Sequence, residues 1–242
     1  MTKYGHPYHG TKSDLLELFA PKEEHNNLYV PQKFDGLVVD LSVIIQALAT
    51  VIDTSKFTYG QFADKILHHI EAFVMKLNTN NLDIVADMYH KHSIKATRGS
   101  EARVVYKESD KLPDHLSSFL KNDDNKRSFN SIISQHGRNP LFWSCNAEVV
   151  ITKDFKFWSK SDGDRELVPW KEHVHEEADN RMIAHVMDML KKEPNIRTIC
   201  VQTADSDVIV SLTSYMATFK AESQALELWV NFGMGNSKGG FL

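Results

Sequence analysis

The chain has 242 residues, enough for one generous core, and its 42% hydrophobic and 25% charged content excludes a fibre or a disordered chain. A formal net charge of -4 argues against a general polyanion-coating protein, because such proteins are basic overall. Two distant cysteines, Cys145 and Cys200, without C-x-x-C spacing support neither a disulfide framework nor a zinc ribbon, and the polar start Met1 to Asp14 and the lack of a membrane-length apolar run point to an intracellular, nuclear or cytoplasmic protein that is not secreted.

Residues 1–33 lack sustained periodicity beyond Leu15 to Phe19 and read as an N-terminal extension ahead of a domain from Phe34 to Leu242. Phe34 to Val39 reads as a strand ending at Asp40, and Leu41 to Val51 has helical spacing with Ile44, Ile45 and Leu48 apolar. Tyr59 to Leu77 carries an apolar stripe through Phe62, Ile66, Ile70, Phe73, Val74 and Leu77, the pattern of a helix on a sheet. Leu82 to Ala86 is the next strand and runs straight into Asp87. The stretch Tyr89 to Lys107 holds Lys91, Lys95, Arg98, Arg103 and Lys107 against one Glu, a basic stripe that is either a solvated face or a phosphate-holding one.

Lys111 to Gly137 reads as two short helices separated by the acidic turn Asn122 to Asn125. Glu148 to Thr152 and Phe155 to Trp158 read as a hairpin or edge pair joined near Lys153 and Asp154, and Ser159 to Arg165 as a polar loop. Glu172 to Arg181 opens a helix with Met182, Ile183, Val186, Met187 and Leu190 on its apolar side. His173 and His175 alternate there, but without a Cys partner or H-E-x-x-H spacing they do not suggest zinc. Ile199 to Val201 is an apolar strand, followed by Asp205, Asp207 and an apolar helix to Leu212. Leu226 to Asn231 is a last strand before a Gly-rich polar stretch.

Strands joined through helices at this spacing predict an α/β protein with a central, mostly parallel sheet flanked by helices and a small hairpin insertion. In such sheets ligands bind at the carboxyl ends of the strands. Three predicted strands end in acid, at Asp40, at Asp87, and at Asp205 with Asp207, while Glu176, Glu177 and Asp179 crowd a helix start. Each acid alone is an ordinary cap or a first-turn acid, worth about 1 kcal/mol or less. Gathered together, they would repel by several kcal/mol, about 4 for a pair at 4 Å, unless cations sat among them. Hard oxygen ligands suit Mg²⁺ or Mn²⁺, and two such ions about 4 Å apart support phosphodiester hydrolysis.

The ordered set Asp40, then D-x-Y-x-x-x-S-I-K from Asp87 to Lys95, then H-E-E-A-D-x-R from His175 to Arg181, then T-x-D-x-D-V from Thr203 to Val208 resembles the PIN-like nuclease domain of the flap-endonuclease and XPG superfamily. Within it, the likeness is to proteins associated with mobile elements in animal genomes, and it covers roughly Phe34 to Phe232. The resemblance implies a structure-directed DNA or RNA nuclease with two divalent ions, DNA ahead of RNA. Asp40 and Asp87 match its first two metal acids, Glu177 and Asp179 its E-x-E pair with Asp for the second Glu, and Asp205 and Asp207 its D-x-D pair. Glu176 is a spare acid of the same metal set. Lys95 and Arg103 resemble the residues that hold the scissile phosphate, and Arg98 competes for that role. The family's following Gly-x-Asp motif and helix-hairpin-helix element do not occur before Leu242. An inactive nuclease-fold module that binds nucleic acid or protein is therefore the alternative expectation. A toprim-like fold ranks behind it, since it would leave Asp40 and Asp87 without a task.

Overall fold

The structure, a computed structural model, describes residues 30–87, 106–153, 156–165 and 178–233. The described residues form strands β1 Gly36–Asp40, β2 Asn81–Val85, β3 Glu148–Lys153, β4 Lys156–Ser159, β5 Gly163–Arg165, β6 Thr198–Thr203 and β7 Glu227–Phe232. The α-helices are α1 Leu41–Val51, α2 Tyr59–Leu77, α3 Leu116–Phe119, α4 Asp123–Gly137, α5 Ala178–Lys192 and α6 Ser206–Glu222. The strands make one sheet in the order β5-β4-β3-β2-β1-β6-β7. Every pairing from β3 through β7 by way of β2, β1 and β6 is parallel, and β4 and β5 extend the sheet beyond β3 with antiparallel pairs.

Local chemistry sets the helix boundaries. The Asp40 carboxylate accepts from Ser42 N at 2.9 Å and starts α1 directly at the end of β1. Thr58 and Gln61 form a reciprocal capping box at the start of α2. Asn78, at φ 49, ends that helix in the left-handed conformation that Asn tolerates better than most side chains.

Alternation along the strands divides the core between the two faces of the sheet. Leu37, Val39, Leu82, Ile84, Val149 and Ile151 face one way and pack with α1, α2 and α4, where Tyr59, Phe62 and Phe129 are buried against one another. Val38, Val85, Ile199, Val201 and Val230 face the other way, under α5 and α6. The helices therefore cover both faces of the parallel part, as such a sheet requires. None of the described helices is long and apolar enough to cross a membrane.

The mostly parallel α/β architecture is as the sequence predicts, with two local differences. The residues expected as a polar loop contain β5, three residues that pair with β4 through Phe157, Trp158 and Ser159. Such a short strand with Gly at its start has no periodicity to read. The pair expected as a hairpin or edge pair is antiparallel and lies toward this edge of the main sheet, as read. The supposed acidic turn also belongs largely to α4: Asn122 caps Asp124 N and Asn125 N, while Asp123 and Asp124 complement the dipole in the first turn.

Candidate active site

The strand order reverses at β1, whose neighbours are β2 and β6. α1 and α2, which lead from β1 to β2, and α5, which leads into β6, lie on opposite faces of the sheet, the arrangement in which α/β proteins bind ligands at the carboxyl ends of the strands. Asp40 stands there as the last residue of β1. Asp87 follows β2 by two residues, and Asp179 lies in the first turn of α5. Continuing the β1/β6 register past Val39↔Gln202 brings Asp40 level with Thr203, two residues before Asp205.

Asp40 is 8% exposed, and its carboxyl is pushed up from 3.8 to about 7. Burial is the largest cause; the negative charge of Asp87 follows and that of Asp179 adds to it, against hydrogen bonds from Ser42 and Val43 that favour the anion. Two acids singled out in the sequence, Asp87 and Asp179, thus lie near enough to Asp40 for their charge to act on it, although all three are far apart in the chain. They come from β1, from the end of β2 and from α5.

A further set of bonds holds α5 against the end of β2. Ala178 N donates to Asp87 Oδ1 at 2.9 Å, across 91 positions of sequence, so Asp87 serves the start of a helix remote from its own strand. Arg181, one turn on, donates through Nη1 to Ala86 O at 3.1 Å and is 5% exposed. Its guanidinium lies 5.7 Å from the centre of the Phe157 ring, within cation-π range. On the β3 side, Ala86 N donates to Thr152 Oγ1 at 3.0 Å, and that hydroxyl donates to Ile84 O at 2.6 Å.

Asp205 and Asp207 stand at the β6–α6 junction. Asp205 is half-buried and is the N-cap of α6, its Oδ1 accepting from Asp207 N at 3.0 Å, while Asp207 is exposed in the first turn. A cap was the plain reading of these acids, and the geometry includes it. Lys95, Arg98, Arg103, Glu176 and Glu177, with His173 and His175, lie outside the described residues.

The donor set is carboxylate oxygen, the chemistry that hard divalent cations require. Its mutual repulsion is relieved either by a proton on Asp40 or by a cation. Among the described residues no three His, Cys, Asp or Glu side chains are already placed around one point for a metal.

Sequence reasoning overlooked the buried polar row of α5. Arg181, His185 and Asp188 are 5%, 0% and 2% exposed, on the same helix as the apolar stripe that was recognised. Their i, i+4, i+7 spacing is the signal that could have revealed it, because that spacing puts side chains on one helical face. Compared with family models and with curated proteins, the chain matches none.

Proposed function

We propose that the chain is a metal-dependent phosphodiester hydrolase of the PIN-like nuclease kind, acting on nucleic acid with DNA ahead of RNA as substrate. The observation that carries this reading is the coupling of Asp40 to Asp87 and Asp179 at the carboxyl edge of a parallel sheet. A carboxyl poised between its charged and neutral forms near neutrality, among further carboxylates, is suited to exchanging a proton for Mg²⁺ or Mn²⁺. Asp40, Asp87, Asp179, Asp205 and Asp207 would hold two such ions, with Glu176 and Glu177 as further ligands. When bound, the pair supplies an activated water and stabilises the leaving oxygen. Lys95, Arg98 and Arg103 would hold the phosphate, and the crevice between β1 and β6 would receive the strand.

The test is cleavage of end-labelled single-stranded and flapped DNA, with matched RNA, in Mg²⁺ or Mn²⁺ and in EDTA. The expected result is ion-dependent cleavage that is lost in Asp205→Asn. Equal turnover by that variant and the parent overturns the assignment.

A second reading is favoured by a specific observation: Asp40, Asp87 and Asp205 each accept from a backbone N–H at a helix start. Acids serving only as caps fit a nuclease-fold module that binds nucleic acid or protein without catalysis. Metal-independent binding with no hydrolysis of any substrate distinguishes it.

A further inference from the structure

The acid at the end of β2 is held by one turn of one helix in two ways. Ala178 N donates to its carboxylate, Asp87 Oδ1, at 2.9 Å. Arg181 Nη1 donates to Ala86 O at 3.1 Å, and that carbonyl belongs to the same planar unit as the backbone nitrogen of Asp87. Ala178 and Arg181 are three residues apart and so share a helical face, with Asp179 in the same turn. The other side of Ala86 is also fixed, because its N–H donates to Thr152 Oγ1 on β3.

Burying a guanidinium is costly unless it is hydrogen-bonded or paired. A shorter apolar side chain would have filled this place more cheaply, so the cation needs a reason. The reason offered by the geometry is orientation of the peptide beneath the acids. From these contacts we infer that Arg181 is a positioning residue: it fixes the Ala86–Asp87 peptide and so presents the Asp87 carboxylate to the same edge as Asp40 and Asp179. The inference rests on the metal reading above and deepens it.

Charge and position make opposite claims here. A nearby cation opposes a divalent ion, so its removal would tighten metal binding if charge were its main effect. Loss of an orienting hydrogen bond weakens metal binding instead, typically about 10–100-fold for groups behind the ligands.

The experiment is a Mn²⁺ titration of the full chain, followed by the EPR signal of the free ion, on the parent, Arg181→Met and Arg181→Lys. Thermal unfolding without metal is recorded alongside. The expected result is affinity lowered about 10–100-fold in Arg181→Met, with Arg181→Lys between it and the parent, since lysine still offers one donor to one carbonyl. Unchanged or tighter binding by a folded Arg181→Met overturns the inference, including the case where only the melting temperature falls. Should Arg181→Met fail to fold, Arg181→Lys decides: about threefold weaker binding or more supports the inference, and parental affinity overturns it. A parent that binds no Mn²⁺ at millimolar concentration removes the metal reading and this inference together, whereas a binding parent with an unaffected Arg181→Met removes this inference alone.

Discussion

His185 Nδ1 stands 2.6 Å from Asp83 Oδ2, with the imidazole fully buried and the carboxylate nearly so. The pair is the third rung of a ladder whose upper rungs are Ala178 on Asp87 and Arg181 on Ala86. As the chain runs back from Asp87 into β2 at Asp83, α5 advances from 178 to 185, so helix and strand run antiparallel with fixed register. Phe157 closes the side, its ring edge-to-face with His185 at 4.9 Å between centroids.

Cutting the lowest rung should therefore loosen the helix that carries Asp179. Asp83→Ala leaves a buried imidazole without this partner. The expected cost in urea unfolding is about 1–3 kcal/mol if the pair is neutral and about 3–5 kcal/mol if it is ionised. A variant as stable as the parent would show that the rung contributes nothing.

Asp40 sets a pH dependence whose sign can be worked out. Its carboxyl lies at about 7 in the folded chain against an ordinary value of 3.8. Between those two pH values the folded chain keeps a proton that the unfolded chain has released. The stabilisation is complete below about pH 4, declines as pH rises, and is gone above about pH 7; roughly three units correspond to about 4 kcal/mol. In EDTA, Asp40→Asn should lack this slope. Parallel urea midpoints for the two proteins from pH 4 to pH 7 would refute the assignment.

Two substitutions at Asp205 separate capping from metal chemistry. Asn is as good an N-cap as Asp, whereas Ala costs about 1 kcal/mol. Asp205→Asn should therefore match the parent in thermal unfolding within about 0.5 kcal/mol while cleavage falls about 100-fold or more. Asp205→Ala should lose both. If Asp205→Asn retained full cleavage, the carboxylate would be a cap alone.

Thr152 offers a test from the opposite side of the sheet. Its hydroxyl serves Ala86 N and Ile84 O and is buried. Thr152→Val keeps the shape and leaves the buried Ala86 N–H without this acceptor, with an expected cost of about 1–3 kcal/mol. It should also weaken Mn²⁺ binding, because Ala86, whose carbonyl Arg181 holds, would lose its support on the other side. Calorimetric titration checks this, and parental affinity would contradict it.

The elements legible in the sequence were those whose periodicity and caps agreed. Leu41 to Val51 and Tyr59 to Leu77 were readable in full because the apolar stripe and the flanking strands gave the same answer, to which the structure adds the capping box of Thr58 and Gln61. The acids at or just past the ends of β1, β2 and β6 were legible because each follows an apolar run within a few residues. The purpose of Asp87 was not, since its helix partner is 91 residues away and nothing local announces Ala178. The burial of Arg181 and His185 was not legible either, because charged and polar side chains are usually exposed and the groups they meet, Ala86 O and Asp83, lie about a hundred residues away. Gly163 to Arg165 failed as a strand on local grounds, since only the neighbouring β4 gives it a ladder.

The central place of β1 has a consequence for assembly. Asp40 and Asp87 are made early, in the first 87 residues, while Asp179 and Asp205 arrive after the long excursion through β3, β4 and β5. A nascent chain halted before α5 would have laid down one flank of the sheet, leaving the opposite edge of β1 bare. Neither fragment of a chain severed between β5 and α5 holds the whole set of acids, so the crevice can form only where both pieces zip together along β1.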